Sequence, residues 1–265
     1  MTPSRLESIN LKRSGTAHVL APHPDDFDAI AVTCKYLQSL QWRIVLSVLT
    51  GGENGVADGY EGVSSREEKR NLRRQEQRDS CAAFGLDPQE LSFLDLDHDE
   101  TGLLQMNKAN SARINTELDG SSADLLLMPH ISDSNKTHRI CAALVLYTLC
   151  QKRRSLHIWF NRDEKTVKMR DELYIAFDES QAQWKAGLLR LHASQQHRNL
   201  QTRGVGFDKR VLEMNRRTAM SLGLVANDGD EAAERKYAES FEVCSDAAEE
   251  AQRLKLSINN GPGVE

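Results

Sequence analysis

One histidine and two aspartates lie close together near the start of the chain, in the segment Pro22-His23-Pro24-Asp25-Asp26. Imidazole and carboxylate groups are ligands of divalent metals such as zinc, and a carboxylate can also act as a general base. Pro24 restricts the turn and removes a backbone donor, so it fixes how the neighbouring side chains diverge. One aspartate can then bind a metal while the other faces a reacting water. The alternative is that either aspartate caps the helix that follows.

A second polar segment covers residues 129–139 and contains His130, Asn135 and His138. Each segment follows an apolar run of strand length and precedes an apolar run of helix length. Because the carboxyl ends of parallel strands meet at one edge of a sheet, we expect the two segments to face each other across a crevice. A third ligand from the second segment would complete a His, Asp, His set with an open position for water, as in catalytic zinc sites. We favour His138 over His130 as this ligand.

Alternating strand-like and helix-like segments position these residues. Strands are predicted at residues 17–21, 43–49, 91–94, 124–128 and 155–160. Helices are predicted at residues 27–40, 65–84, 103–118, 135–149 and 178–197, with Gly85 as the C-cap of the second. Residues 167–176 are typical of a hairpin or an edge strand. Repeated βα units predict an α/β, Rossmann-like fold with a mostly parallel sheet and helices on both faces.

The pattern indicates a single domain over residues 1–265. Its core is predicted at residues 16–196 and is followed by a helical and polar C-terminal extension at residues 197–265. The last residues, 258–265, resemble a frayed tail.

The composition and charge of the chain do not favour nucleic acid or membrane as a partner. The chain has 34 basic and 39 acidic residues, a net charge of -5, which gives no reason to expect binding to nucleic acid or to a membrane surface. No apolar run approaches the roughly 18 residues of a membrane span, and the polar N-terminus does not resemble a secretory signal. The five cysteines are dispersed, as reduced thiols are, and favour the cytoplasm. The sequence leaves open whether the chain forms a homo-oligomer.

The Ala-x-His-Pro-Asp-Asp motif resembles the signature of the LmbE-like, or PIG-L, superfamily of zinc-dependent N-deacetylases, which includes N-acetylglucosaminyl-phosphatidylinositol deacetylase. The resemblance continues in the same order through residues 66–68, 81–86, 93–96, 133–139 and 185–195. It implies that His23, Asp26 and His138 are zinc ligands. It also implies that Asp25 is the general base for the attacking water.

The resemblance further implies that Arg66, which follows a Gly-rich loop at residues 51–62, contacts the substrate. Gly52 and Glu53 belong to this loop, and we assign them to substrate binding because the loop is polar enough to receive a hydroxyl-rich ligand. The alternatives are an ordinary surface loop and an ion pair of Arg66 with the neighbouring glutamates of an exposed helix.

One motif departs from the family. The family's second motif usually reads His-Pro-Asp-His, and the aligned residues here are Asn135-Lys136-Thr137-His138. The amide of Asn135 can donate a hydrogen bond to an oxyanion, but it cannot carry the positive charge of an imidazolium or deliver a proton. Thr137 also lacks the carboxylate that an aspartate would supply. We therefore expect Asp25 to move protons in both directions of the reaction.

Together these features predict a zinc-dependent hydrolase that removes the acetyl group from an N-acetylated amino sugar or sugar conjugate. Fe²⁺ suits the same ligands. The alternatives are a metal amidase for a thiol conjugate or another amide, and a catalytically weakened sugar-binding relative. A nucleotide-binding α/β protein is disfavoured because the chain has neither GxGxxG after the first strand nor a P-loop lysine motif.

Overall fold

Eight strands form one sheet in the part of the chain that the computed structural model describes, namely residues 2–100, 102–151, 156–225, 235–246 and 250. They are β1 (Ser4–Arg5), β2 (Thr16–Ala21), β3 (Arg43–Val48), β4 (Leu91–Phe93), β5 (Leu125–Pro129), β6 (His157–Asn161), β7 (Leu173–Phe177) and β8 (Tyr237–Cys244). Their order across the sheet is β1-β7-β8-β6-β5-β2-β3-β4. β8 runs antiparallel to both of its neighbours, and the other pairs are parallel. The predicted mostly parallel sheet is confirmed.

Helices cover both faces of this sheet. They are α1 (Ala31–Ser39), α2 (Arg66–Phe84), α3 (Lys108–Ser121), α4 (Lys136–Gln151), α5 (Glu179–Arg190), α6 (Ala193–Arg203) and α7 (Phe207–Ser221). Successive residues of β2 point to opposite faces, as the pleat of a strand requires. Val19 packs in a hydrophobic cluster with residues of α1, α2 and α5, whereas Leu20 packs in a second cluster with residues of α3 and α4. The predicted α/β fold is therefore confirmed. In the described ranges no helix has both the length and the hydropathy that a membrane crossing needs.

The predicted helix over residues 65–84 is confirmed together with its ends. Ser65 accepts a hydrogen bond from the backbone N–H of Glu68, whose side chain bonds back to the backbone N–H of Ser65. This reciprocal pair satisfies two donors that a helix start leaves free. At the other end Gly85 has φ 87°, the left-handed conformation that glycine adopts without strain.

Three predicted helices have different bounds. The first begins only at Ala31, after a single 3₁₀ turn over Asp28–Ile30. The third begins at Lys108 because Asn107, not a residue near position 103, caps it. The segment 178–197 is divided into α5 and α6 at His192, whose ring is buried 2.6 Å from a carboxylate oxygen of Asp28. The chain leaves the helical path there so that this buried pair can form.

β7 and β8 differ most from the expectations. β7 is not an edge strand: it lies between β1 and β8, and all five of its residues are buried. β8 belongs to the region predicted as a helical and polar extension, yet it pairs in the interior of the sheet. The sequence did not predict β8 because two of its buried residues are glutamates, Glu239 and Glu242. Each carboxylate pairs with a cation that is distant in sequence: Glu239 with Lys185 at 2.7 Å and Glu242 with Arg170 at 3.0 Å. The predicted tail, residues 258–265, lies outside the described residues.

Candidate active site

The two polar segments lie side by side at the carboxyl edge of the sheet. β2 ends at Ala21 and is followed directly by the Pro22–Asp26 turn, and the adjacent parallel strand β5 ends at Pro129. The chain then passes through residues 130–135 into α4, which carries His138 in its first turn. The sheet therefore brings together two groups of side chains that are more than 100 residues apart in sequence, as predicted.

His23, Asp26 and His138 form a group with the dimensions of a metal site. His138 Nε2 lies 3.2 Å from His23 Nδ1 and 3.5 Å from Asp26 Oδ1, and His23 Nδ1 lies 3.4 Å from Asp26 Oδ2. Four ligands at the usual zinc bond lengths of about 2.0–2.1 Å in a tetrahedron would be separated by roughly 3.3 Å. The donor atoms and their spacing thus fit a small divalent cation held by these three residues.

Neighbouring carboxylates and a backbone hydrogen bond hold the candidate ligands in orientation. His138 is fully buried, and its Nδ1 lies 3.1 Å from Asp133 Oδ2 and 3.5 Å from Asp163 Oδ2. A carboxylate at one ring nitrogen places the proton there and leaves the lone pair on the other nitrogen for a metal. Asp26 Oδ2 accepts the backbone N–H of His23 at 2.7 Å. Sequence reasoning assigned no role to Asp133 or Asp163, although Asp163 does follow the end of a strand.

The ionisation of the group suits a cation. Burial is the largest influence on His23 and lowers its pKa, which favours the neutral, ligating imidazole. Burial opposes ionisation of Asp26, but His138 and His23 outweigh it and lower the pKa of that carboxyl far below its usual range. For His138, burial is outweighed by Asp26, Asp133 and Asp163, which raise its pKa, so a metal bound there would displace a proton from the ring. The group therefore includes a permanent carboxylate charge.

Asp25 is fixed separately from the ligand group. Its backbone has φ 108°, its N–H donates to Gln77 Oε1 at 2.9 Å, and its Oδ2 lies 3.0 Å from Arg73 Nη2. Arg73 is buried and also donates to the carbonyl of Pro24. Arg73 and Gln77 are four residues apart, so they project from the same face of α2. α2 thus holds the turn, a role that the sequence did not indicate for Arg73.

The capping alternative is not observed for either aspartate. The N-cap of the 3₁₀ turn is Phe27 and that of α1 is Ile30, and neither start has a side-chain cap. Asp26 bonds backward to His23, and Asp25 is held by α2. Both carboxylates therefore make contacts at the carboxyl edge of the sheet and do not cap a helix.

A cavity of about 230 Å³ opens at this edge. Six of the predicted site residues line it: His23, Asp25, Gly52, Glu53, Arg66 and Asn135. Asp26 and His138 do not line it themselves, but both lie within 3.4 Å of Nδ1 of His23, which does. The ring of His130 also does not line it and instead packs edge-on against Phe160, with its Nε2 3.7 Å from Glu242. His130 Nδ1 also accepts the backbone N–H of Ser132, which places the ring proton on Nε2. These contacts favour His138 as the third ligand.

Glu53 holds two arginines at the cavity wall. Its Oε1 accepts from Arg66 Nη2 at 2.9 Å and from Arg70 Nη2 at 3.2 Å. Burial would raise the pKa of Glu53, but its backbone N–H and the two guanidinium groups lower it below the usual value. Arg66 therefore pairs with Glu53 and not with the glutamates beside it, and its side chain stays 56% exposed at the cavity.

Gly52 occupies a position that a side chain would strain. Its φ is +63°, and an added Cβ would lie 3.3 Å from Pro24 Cδ and 3.4 Å from His23 Cβ. Gly52→Ala is expected to lower the free energy of unfolding by about 1–2 kcal/mol, because the left-handed conformation and the contacts both oppose Cβ. Urea unfolding measures this. Gly120→Ala is the control: it lies in α3 with open space around it, and should raise stability by about 0.5–1 kcal/mol.

The contacts of Glu53 predict a pH-dependent stability. A carboxyl whose pKa is lowered in the folded chain stabilises the fold above its unfolded pKa, about 4.5, and loses this effect as the pH falls through the folded value. The stability difference between wild type and Glu53→Gln should therefore be full at neutral pH and shrink in acid. Urea unfolding of metal-free protein at several pH values measures it, with the exposed Glu67→Gln as control. A difference independent of pH would contradict this assignment.

Asn135 begins α4 as well as lining the cavity. Its Oδ1 accepts the backbone N–H of Thr137 at 2.9 Å, and its own N–H donates to Asp133 Oδ1 at 2.6 Å. Its Nδ2 donates no hydrogen bond within the described ranges, so this amide group can serve a ligand. Three further lining residues, Lys165, Gln195 and Arg198, carried no assignment in the sequence. Lys165 comes from a loop after β6 and Arg198 from α6, and neither position lies in a motif. Gln195, also in α6, ends the segment 185–195 that resembles the family, but the resemblance assigned it no role.

The protein is thus an α/β protein with a candidate metal centre. A His, Asp, His group and a separate carboxylate lie together at the carboxyl edge of its mostly parallel sheet. The family model of PIG-L, described as GlcNAc-PI de-N-acetylase, matches residues 18–149, the part that carries this centre. Residues 18–149 are therefore a domain of the PIG-L, or LmbE-like, family. A search of curated protein sequences gave no match.

Solved structures share the fold at low identity. The N,N′-diacetylchitobiose deacetylase from Pyrococcus horikoshii is 18% identical, with a TM-score of 0.66 over 87% of this chain and 84% of that one. The 4-carboxy-2-hydroxymuconate hydratase GalB from Pseudomonas putida KT2440 is 15% identical, with a TM-score of 0.63 over 86% and 95%. A zinc-inhibited form of a teicoplanin deacetylase is 11% identical, with a TM-score of 0.56 over 86% and 98%. At these identities the likeness concerns the fold alone.

Proposed function

We propose that this protein is a zinc-dependent N-deacetylase that hydrolyses the acetamide of an N-acetylated amino sugar or sugar conjugate. The observation that carries the proposal is that Asp25 and His23 line one cavity within a PIG-L domain, with Asp26 and His138 grouped directly around His23. Two of the three solved structures compared above are described as deacetylases, which supports the same reaction class.

The metal and its ligands have distinct tasks in this proposal. Zn²⁺ held by His23, Asp26 and His138 would polarise the acetyl carbonyl and lower the pKa of the attacking water to about 7. Asp133 and Asp163 keep the ring of His138 in the orientation that presents Nε2.

Asp25 and Asn135 divide the remaining chemistry. Asp25 accepts a proton as the oxygen of water bonds to the carbonyl carbon, and Arg73 keeps that carboxylate oriented through Oδ2. Asn135 Nδ2 donates a hydrogen bond to the oxyanion. Asp25 then returns the proton to the nitrogen as the C–N bond breaks, so that acetate and a free amine leave. A single carboxylate serves in both directions because it is the base in one step and the acid in the next.

The cavity favours a hydroxyl-rich substrate. Its lining is largely polar and charged, and includes amide, guanidinium and carboxylate groups. Such groups exchange hydrogen bonds with sugar hydroxyls. Arg66, fixed by Glu53 and exposed at the cavity, is our choice for the contact with the sugar. The five cysteines are free, and four of them are buried, which supports the cytoplasm as the proposed location.

Acetate release tests the proposal. Protein stripped of metal and reloaded with one equivalent of Zn²⁺ or Fe²⁺ is assayed on N-acetylglucosamine, N,N′-diacetylchitobiose and other N-acetyl amino sugars. One equivalent is used because a neighbour is described in a zinc-inhibited form. We expect equal amounts of acetate and free amine from reloaded protein and neither from stripped protein. A free amine without acetate would favour an amidase for another acyl group, and tight sugar binding without any product would favour a weakened relative.

A further inference from the structure

The centre lacks the positive charge that an imidazolium would supply. Asn135 replaces the histidine of the family motif, and its Oδ1 is engaged by the backbone N–H of Thr137. Its amide can donate a hydrogen bond but holds no charge. A charged donor at this end of the cavity would have to come from another part of the chain.

Lys165 stands in the loop after β6, and backbone hydrogen bonds fasten that loop to the segment before Asn135. The carbonyl of Lys165 accepts the N–H of Ser134 at 2.9 Å, and the N–H of Val167 donates to the carbonyl of Ser132 at 2.8 Å. An isolated β-bridge joins Asp133 to Thr166 between these bonds. Lys165 is therefore held at a defined position beside the segment that leads into α4.

The side chain of Lys165 reaches the same cavity as Asn135 and Asp25. All three residues line the 230 Å³ cavity, and all three also line an adjoining cavity of about 180 Å³ that includes Asp26. Lys165 thus belongs to the wall at which the acetyl group would be attacked.

The ammonium group of Lys165 is charged but is not engaged in an ion pair with the residues that the structure describes. Burial, the largest influence, lowers its pKa, but Asp163, Asp26, Asp25 and Glu164 together raise it above the usual value. Yet its side chain forms no ion pair or hydrogen bond with any residue in the described ranges. The surroundings therefore hold a permanent cation at the wall, with its N–H donors available to a ligand.

We infer that Lys165 is a catalytic residue that donates a charged hydrogen bond to the acetyl oxygen as this oxygen becomes an oxyanion. The inference rests on the proposed function. Lys165 would supply the charge that Asn135 cannot, while Asp25 alone moves the protons. A preorganised cation near developing negative charge stabilises the transition state more than the ground state.

Substitution of Lys165 tests this role. Lys165→Met should lower kcat on the order of 10²-fold with little change in KM, because the interaction is made mainly in the transition state. Lys165→Arg should retain part of the activity. Lys168→Met, an exposed lysine of the same loop, is the matched control and should keep wild-type kcat. If Lys165→Met does not fold, Lys165→Gln replaces it.

A second substitution separates this role from a structural one. Adding Asn135→His to Lys165→Met should raise kcat at least tenfold above that of Lys165→Met alone, because the imidazolium would supply the missing positive charge. A lysine that merely balances the nearby carboxylates would show no such rescue. A rise in KM with unchanged kcat would instead mean that Lys165 binds an anionic group of the substrate. The inference is overturned by absence of rescue, by a rise in KM alone, or by a kcat for Lys165→Met equal to that of Lys168→Met.

Binding of methylphosphonate, a tetrahedral anion, distinguishes the failure of this inference from that of the proposed function. Calorimetric titration of zinc-loaded protein should show at least tenfold weaker binding in Lys165→Met than in wild type. If no N-acetyl sugar is hydrolysed but this difference is present, the proposed function fails and the assignment of Lys165 as an oxyanion-binding cation stands. If wild type and Lys165→Met bind methylphosphonate equally, or neither binds it, the assignment of Lys165 is wrong.

Discussion

Asp25→Asn is expected to lower kcat by about 10³-fold while zinc content stays at the wild-type level, since a positioned general base contributes about 10²–10⁴-fold. Asparagine has the shape of aspartate and tolerates positive φ, so it can keep the φ of 108° at this position. Its carbonyl oxygen can still accept from Arg73, which lies 3.0 Å from Oδ2 in the native chain. The variant therefore loses the proton acceptor with little other change. Acetate release gives kcat, and elemental analysis gives the metal content.

Asp95→Asn is the matched control for this substitution. Asp95 also has positive φ, 45°, and also pairs with an arginine of α2, Arg74, but it lies outside the 230 Å³ cavity. Its replacement tests the cost of breaking such a pair without touching the proposed base. Wild-type kcat in Asp25→Asn would remove Asp25 from the mechanism. Loss of zinc in the same variant would make Asp25 a ligand instead of a base.

His138→Gln is expected to weaken zinc binding more than any change in the surrounding layer. Loss of a partner that orients a ligand costs roughly 10–100-fold in metal affinity, and loss of the ligand itself should cost more. Asp133→Asn is therefore expected within that range, because it removes only the carboxylate 3.1 Å from His138 Nδ1. Competition with a chromogenic chelator measures the three affinities. The expected order is wild type, then Asp133→Asn, then His138→Gln.

His130→Gln controls for the loss of a buried histidine in the same segment. Its ring lies against Phe160 and Glu242 and does not belong to the His23, Asp26 and His138 group, so zinc affinity should remain within threefold of wild type. Thermal unfolding identifies any variant that is merely destabilised. Full zinc affinity in His138→Gln together with a loss in His130→Gln would exchange the roles that we assign to the two histidines.

The local elements around the site could be predicted from the sequence. β2 and β5 are short apolar runs that end at a proline or just before one, and the polar residues after them can only lie at the edge where parallel strands end. Ser65, Glu68 and Gly85 mark the ends of α2 through contacts within a few residues. Such features depend on residues that are close together in the chain, and so they can be predicted from the sequence alone.

Contacts between distant segments could not be predicted in this way. β8 contains two buried glutamates, and a carboxylate is expected inside a sheet only if its partner is known. Glu239 is paired with Lys185, 54 residues away, and Glu242 with Arg170, 72 residues away. The break at His192 has the same cause, since Asp28 lies 164 residues before it.

For the candidate site, the sequence by itself determined which residue types are present and the order in which strand ends deliver them. His23, Asp25 and Asp26 follow one strand, and His138 opens the helix after another. Only the tertiary structure decided that Asp25 is held by Arg73, that Asp163 reaches His138, and that Lys165 lines the same cavity as Asn135. The physical reason is that hydrogen bonds and ion pairs act over a few ångströms in space. Partners that are far apart in the sequence produce no periodic pattern from which their contact could be predicted.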